Sequence, residues 1–213
     1  MNTGKSSILI INGSLRGKSG NTAVIAEQAA AIIHNHPDAS ATVLTLTDPM
    51  PDIATVMSLV SAHSGLLVLS GIYWNNWSSP LQRFIEVATA FEQTPVFFGK
   101  PVACTVSMDS VGGMEVAGRL HAAFSGLGCW SPPCSTLVIS RVGQEAINHS
   151  ADIQNNPNED VWRLDDLETV IENLVIATQI KPLWKSWPHV GYKQDNNPWP
   201  ETGTLDLGSP KYL

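Results

Sequence analysis

Ile8-Leu9-Ile10-Ile11 is an unbroken aliphatic run, and Asn12-Gly13-Ser14 ends it abruptly. A stretch so apolar and so short reads as a strand buried on both faces, which is how strands of a parallel sheet are placed. Parallel strands must be joined by long crossovers, and the chain supplies them. Thr22 to Ile33 carries Val24, Ile25, Ala29, Ile32 and Ile33 close to helical spacing. Ala41 to Leu46 reads as a second strand, Asp52 to His63 as a helix and Gly65 to Leu69 as a third strand.

The alternation continues. Ser79-Pro80-Leu81-Gln82 has the form of a helix start, with Ser79 as cap, Pro80 in the first position and Gln82 closing a capping box. Leu81, Phe84, Ile85 and Ala88 then form one apolar stripe. Pro101 to Val106 is a fourth strand. Val116, Leu120, Phe124 and Leu127 make a helix stripe that Gly128 stops. Leu137 to Ile139 is a fifth strand. Arg141 to Asp160 is polar and too long for an ordinary connection. A last helix runs from about Trp162 to Ile180, and Pro182 ends it. Five strands alternating with helices, with no internal repeat, mean a doubly wound parallel α/β sheet.

The tail from Pro182 has no periodicity but holds Trp184, Trp187, Tyr192, Trp199 and Tyr212. So many aromatics do not suit a disordered extension. The expected division is one domain over residues 1–181 and a Trp/Pro-rich arm over 182–213, packed on its own domain or on a neighbouring subunit.

Charge and cysteine content restrict the function. Lys and Arg number 12 against 19 Asp and Glu, a net charge of −7, so a nucleic-acid-binding face is not expected. Any bound phosphate should be a single local group. The three cysteines do not form a disulfide framework: Cys104 lies in an apolar run, and Cys129 and Cys134 fit neither a zinc nor a redox spacing. The six histidines give no ligand pair, with His34 and His36 read as covering a helix C-terminus. No metal site is expected. Met1 to Ser7 is short and polar, unlike a signal peptide, and no run reaches the ~20 apolar residues of a membrane span, so the expected location is cytoplasmic.

Ligands of open parallel sheets bind beyond the carboxyl ends of the strands. Asn12 to Thr22 leaves the first strand and enters the first helix, rich in small, hydroxyl and amide residues and carrying Arg16. A phosphate monoester needs backbone N–H groups, a helix N-terminus and a cationic donor, and this loop offers all three. It is not a Walker loop, because Gly13 stands one residue too close to Gly17-Lys18-Ser19. The dinucleotide glycine pattern is absent, and the loop has no cysteine nucleophile.

Gly13-Ser14-Leu15-Arg16-x-x-Ser19-x-Asn21-Thr22 resembles the phosphate loop of the NADPH-dependent FMN reductase family. The resemblance implies a flavodoxin-like fold with strand order 2-1-3-4-5. It also implies that Ser14, Arg16, Ser19, Asn21 and Thr22 hold the 5′-phosphate of FMN. Ser70 to Glu86 is similar to the family's second flavin loop at Tyr73, Ser79, Leu81 and Phe84-Ile85-Glu86. It departs at Gly71, where the family has proline, and at the bulky Trp74 and Trp77. Tyr73, Trp74, Asn75 and Asn76 are the flavin contacts expected there: a flat ring wants donors at its polar rim and an aromatic wall. Met108 to Met114 is similar to the third loop, with Ser110, Val111, Gly112 and Gly113 beside the ring. Taken alone, that segment reads as a plain strand-to-helix turn.

The resemblance implies an FMN enzyme taking hydride from NADPH or NADH and passing it to a quinone, a free flavin or another small electron acceptor. The cofactor carries that chemistry, so no catalytic side chain is assigned. Asp109, in the third loop, is left outside the catalytic set. Arg83, Arg119 and Lys100 are candidates for a 2′-phosphate contact. The resemblance further implies a homodimer or homotetramer. A flavodoxin-type electron carrier, and a relative that binds no flavin, are the alternatives.

Overall fold

The computed structural model describes residues 5–47, 50–143 and 166–187. β1 (Ser6–Asn12) sends Ile8 and Ile10 to one face of the sheet and Leu9 and Ile11 to the other, all fully buried. It pairs in parallel with β2 (Ala39–Thr45) on one side and β3 (Gly65–Gly71) on the other. β4 (Val102–Met108) and β5 (Thr136–Ser140) continue the parallel sheet in the order β2-β1-β3-β4-β5. This is the flavodoxin-like doubly wound α/β arrangement expected from the sequence.

Helices close both faces. On one, Ile25, Ala29 and Ile33 of α1 (Asn21–Asn35) join Leu167, Ile171 and Leu174 of the C-terminal helix Asp166–Thr178. On the other, α2 (Ile53–Ala62), α3 (Ser79–Ala88) and α4 (Gly113–Leu127) pack Val60, Leu81, Phe84, Leu120 and Phe124 against Leu9, Ile11, Val68 and Val106. Asp166–Thr178 is α5 here. Its expected start near Trp162 lies outside the described residues, as do the arm from residue 188 onward and most of the polar stretch after Arg141. At the near end of the arm, Leu183, Trp184 and Trp187 are exposed.

Two details of α3 correct the sequence expectation. The cap is Ser78, whose Oγ accepts from Leu81 N at 3.3 Å, with Ser79 as the first helical residue. Gln82 does not close a capping box: its Oε1 accepts from Trp77 Nε1 at 2.7 Å and its Nε2 donates to Glu86 at 3.0 Å. Ser78 is drawn into the cap by its own tertiary bonds, donating from N to Ser70 Oγ at 3.1 Å and from Oγ to the Gly13 carbonyl. At the far end of α4, Gly128 adopts φ 112° and stops the helix as expected.

Cys104 and Cys129 are buried and Cys134 is exposed, and burial pushes the Cys129 thiol up to about 12. His121 of α4 is the titratable staple of this half of the molecule, its ring nitrogens meeting Ser131 Oγ at 2.6 Å and Thr136 Oγ1 at 2.8 Å. Desolvation lowers its pKa below the ordinary 6.5. The unfolded chain therefore takes up a proton near that pH that the folded chain refuses. The stability carried by the neutral ring is complete above pH 6.5 and is lost as pH falls below it. Thermal melts from pH 7.5 down to pH 5 are expected to show a declining Tm that is flatter in His121→Gln. An equally steep decline in the variant would remove His121 from the account.

Candidate cofactor site

The strand order reverses between β1 and β3, and at that switch point the carboxyl ends of the strands open into one cleft of about 340 Å3. One end is lined by Ser14, Arg16, Gly20, Asn21 and Thr22. The remainder is lined by Gly71, Ile72 and Tyr73 beyond β3, by Ser107, Met108 and Asp109 at the end of β4, and by Arg141 after β5. The volume falls in the range of about 300–1,000 Å3 typical of small-molecule sites.

Side chains close the first loop upon itself. Asn12 Oδ1 accepts from Ser14 N at 3.1 Å, and Asn12 Nδ2 donates to the Gly17 carbonyl at 3.3 Å. Ser14 Oγ accepts from Arg16 N at 3.1 Å, and Ser19 Oγ donates to the Arg16 carbonyl at 2.9 Å. Ser19 is thus spent on the turn and does not line the cleft. Gly13 is required by close approach: a Cβ there would lie 2.9 Å from both the Leu69 carbonyl and Leu81 Cβ. α1 begins after Gly20 with no capping side chain; Ala23 N donates to the Gly20 carbonyl at 2.9 Å, and the N–H groups of Asn21 and Thr22 are left to other partners.

The second loop is a two-residue reverse turn. Tyr73 and Asn76 exchange backbone bonds of 2.8 and 3.0 Å, and the residues between them, Trp74 and Asn75, have φ 48° and 60°. This is the pattern of a type I′ turn, which prefers Asn and Gly. A left-handed conformation costs a non-glycine residue about 1–2 kcal/mol, and Trp has none of asparagine's local compensation. The turn is held from α4. Arg119 donates to the Asn75 carbonyl and lies 5.3 Å over the Trp77 ring, and Asn75 Nδ2 donates to Glu115 at 2.9 Å. Tyr73 lines the cleft, whereas Trp74, Asn75 and Asn76 lie outside its wall.

In the third loop the cleft wall stops at Asp109, so Ser110, Val111, Gly112 and Gly113 lie beyond it. The two glycines are instead used in packing. Gly112, at φ 89°, caps α4 and abuts the Asn75 side chain, while Gly113 is pressed against Val138 of β5. The 2′-phosphate candidates are dispersed: Arg83 pairs with Glu86, Arg119 holds the second loop, and Lys100 donates to the His63 carbonyl at the amino edge of the sheet.

Asp109, left outside the site set on sequence, and Arg141, which the motifs do not reach, complete the wall. Arg141 Nε meets Asp109 Oδ1 at 2.8 Å, and the Asp109 carbonyl accepts from Val142 N at 3.0 Å and Ser140 Oγ at 3.2 Å. Both side chains are well exposed, and such a pair is worth about 0–1 kcal/mol, so its weight lies in where it holds Arg141. The available signal was positional, since Arg141 is the first residue after a sheet strand.

The NADPH-dependent FMN reductase family model matches residues 6–144. The chain belongs to that family. It is accordingly an NAD(P)H-dependent flavin oxidoreductase with FMN as cofactor, as the loops implied. No curated protein matches the chain in sequence. Among solved structures, RosB with bound 8-demethyl-8-formylriboflavin-5′-phosphate is similar at TM-score 0.66 and 13% identity, over 82% of this chain and 79% of that one. An apo NADH:FMN oxidoreductase, EMOB, gives 0.61 at 16% identity, over 81% and 89%. A flavodoxin from the domain Archaea gives 0.55 at 14%, over 82% and 99%. At such identities these likenesses establish the fold alone. No helix among the described residues is long and apolar enough to cross a membrane.

The residues present fit FMN. The cradle beside α1 combines first-turn N–H groups, the Ser14 and Thr22 hydroxyls, the Asn21 amide and the Arg16 guanidinium, a donor set suited to a dianionic phosphate. Gly20 belongs to that cradle, because a Cβ there would run into Ser14 Oγ.

Proposed function

We propose that this enzyme carries hydride from NADPH or NADH to a quinone, a free flavin or another small electron-poor acceptor, using the cleft at the β1/β3 switch point for both half-reactions. The observation that supports this most directly is the continuity of a phosphate cradle with the ends of β3, β4 and β5 in one cleft. Bound FMN supplies the hydride-accepting and hydride-donating centre. Ser14, Arg16, Asn21 and Thr22 bind the phosphate and fix the register of the cofactor, with Ser19 shaping their loop. Tyr73 supplies the aromatic part of the wall, and Ser107 to Asp109 with Arg141 line the remainder. No side chain has to move a proton for direct hydride transfer, so none is assigned a catalytic role.

The wider reading is of a cytoplasmic homodimer or homotetramer with no nucleic-acid partner, in keeping with the net charge of −7. Residues 1–181 act as the cofactor domain and 182–213 as an arm on that assembly. One spectrum tests the core of the proposal. Protein loaded with FMN and freed of excess is expected to keep a visible flavin band that bleaches rapidly on anaerobic addition of NADPH. A retained band that NADPH and NADH leave unbleached would point to an electron carrier, and no retained band would overturn the cofactor site.

A further inference from the structure

Two opposite charges stand together in the part of the cleft wall away from α1. Among the described residues Asp109 is its only carboxylate and Arg141 its only cation. They are held by more than each other. The Asp109 carbonyl accepts from Val142 N at 3.0 Å and from Ser140 Oγ at 3.2 Å, and Ser140 Oγ accepts from Gly143 N at 3.2 Å. Residues 140–143 thus wrap the end of β4, and the 2.8 Å contact of Arg141 Nε with Asp109 Oδ1 closes the same junction. Both side chains stay well exposed, so the pair does little for stability. What the junction does is hold a cation and an anion at fixed places in the cleft.

We propose that Arg141 and Asp109 set the reduction potential of bound FMN, the cation favouring the reduced cofactor and the carboxylate the oxidised one. This rests on the reductase reading above and extends it to the electrochemistry of the site. With the phosphate at α1, the ring of the cofactor has the rest of the same cleft to occupy, and the pair lies in that wall. Hydride brings two electrons and one proton. Until a second proton follows, the reduced ring therefore carries one more negative charge than the oxidised ring. A fixed cation lowers the energy of that added charge and a fixed carboxylate raises it, and neither has to touch the ring to do so. Paired at 2.8 Å the two nearly cancel, so the potential responds to the loss of either one. Asp109 is in addition the positioning residue for Arg141.

The test is a redox titration of the FMN-loaded protein at about pH 8 and low ionic strength, against a dye of known potential. Arg141→Gln is expected to weaken the binding of reduced relative to oxidised FMN about three- to tenfold, which lowers the two-electron potential by about 15–30 mV. Asp109→Asn, which keeps an acceptor for Arg141 Nε, should raise it by a similar amount. The double variant should return close to the parent, and Arg141→Lys should restore most of the value by keeping the charge. Added salt should shrink both single shifts, because the pair is exposed. Unchanged potentials in both single variants, or shifts of the same sign, overturn the proposal while leaving the reductase reading intact. A raised KM for NADPH in Arg141→Gln with an unchanged potential would make Arg141 a co-substrate contact, and overturns it as well. Failure of the unaltered protein to retain FMN removes the reductase reading, and the proposal falls with it.

Discussion

Arg16→Ala is expected to weaken FMN binding roughly 10- to 150-fold, the equivalent of losing a charge-assisted pair of about 1.5–3 kcal/mol. Arg16 is the one cation among the first-loop residues lining the cleft beside α1. It is exposed, so it gives up little of its own hydration on binding. Its backbone is already engaged on both sides, N with Ser14 Oγ and the carbonyl with Ser19, so truncation removes the guanidinium without releasing the turn. Arg16→Lys should retain part of the affinity, because the charge remains while the planar fork is lost. Lys18→Ala, on the same loop but outside the cleft wall, should change Kd much less. Quenching of flavin fluorescence on titration measures all three. An unchanged Kd in Arg16→Ala would remove the phosphate from this loop.

Phe84→Ala is the stability change with the largest expected effect, a loss of about 3–5 kcal/mol. Phe84 is fully buried in α3 and stacks on Phe124 of α4 at 6.4 Å between centroids. Truncation leaves a void between two helices and the sheet, and surroundings packed to crystal-like density collapse only in part. In a domain of this size that corresponds to a fall of about 6–20 °C in Tm. The consequence extends to the site, since α3 meets the phosphate loop through the Ser78 bond to Gly13. Saturating FMN should therefore recover part of the lost Tm, because a ligand that binds only the folded form stabilises it. A melt of the variant within 2 °C of the parent would show that α3 is not anchored through this ring.

The fold was legible because its signals are local and repeated. Each strand is a short apolar run, each helix carries a stripe at helical spacing, and burial on both faces needs no partner to be recognised in the sequence. Gly128 and Asp52 mark helix ends through conformational preferences that belong to single residues. The end of the cleft beside α1 was legible for the same reason. Its donors lie within one loop, so Ser14, Arg16, Asn21 and Thr22 came out of a single motif, and all four line the cleft.

What could not be read is what depends on contacts between distant segments. Ser78 and Ser79 are equivalent as caps in sequence, and bonds to Ser70 and Gly13 choose between them. Gly112 and Gly113 signal close approach, but only the packed loops reveal that the neighbours are Asn75 and Val138. Trp74 owes its exposure to a turn clamped from α4, and Arg141 owes its place in the cleft to pairing with Asp109 across two strand ends. The sequence by itself determined the doubly wound sheet, the family and the donor-rich loop that lines one end of the cleft, because propensity, periodicity and a contiguous donor set act within a few residues of one another. The tertiary structure alone decided which side chains stand at the far wall and rim of the cleft, because those positions follow from how separate loops pack together.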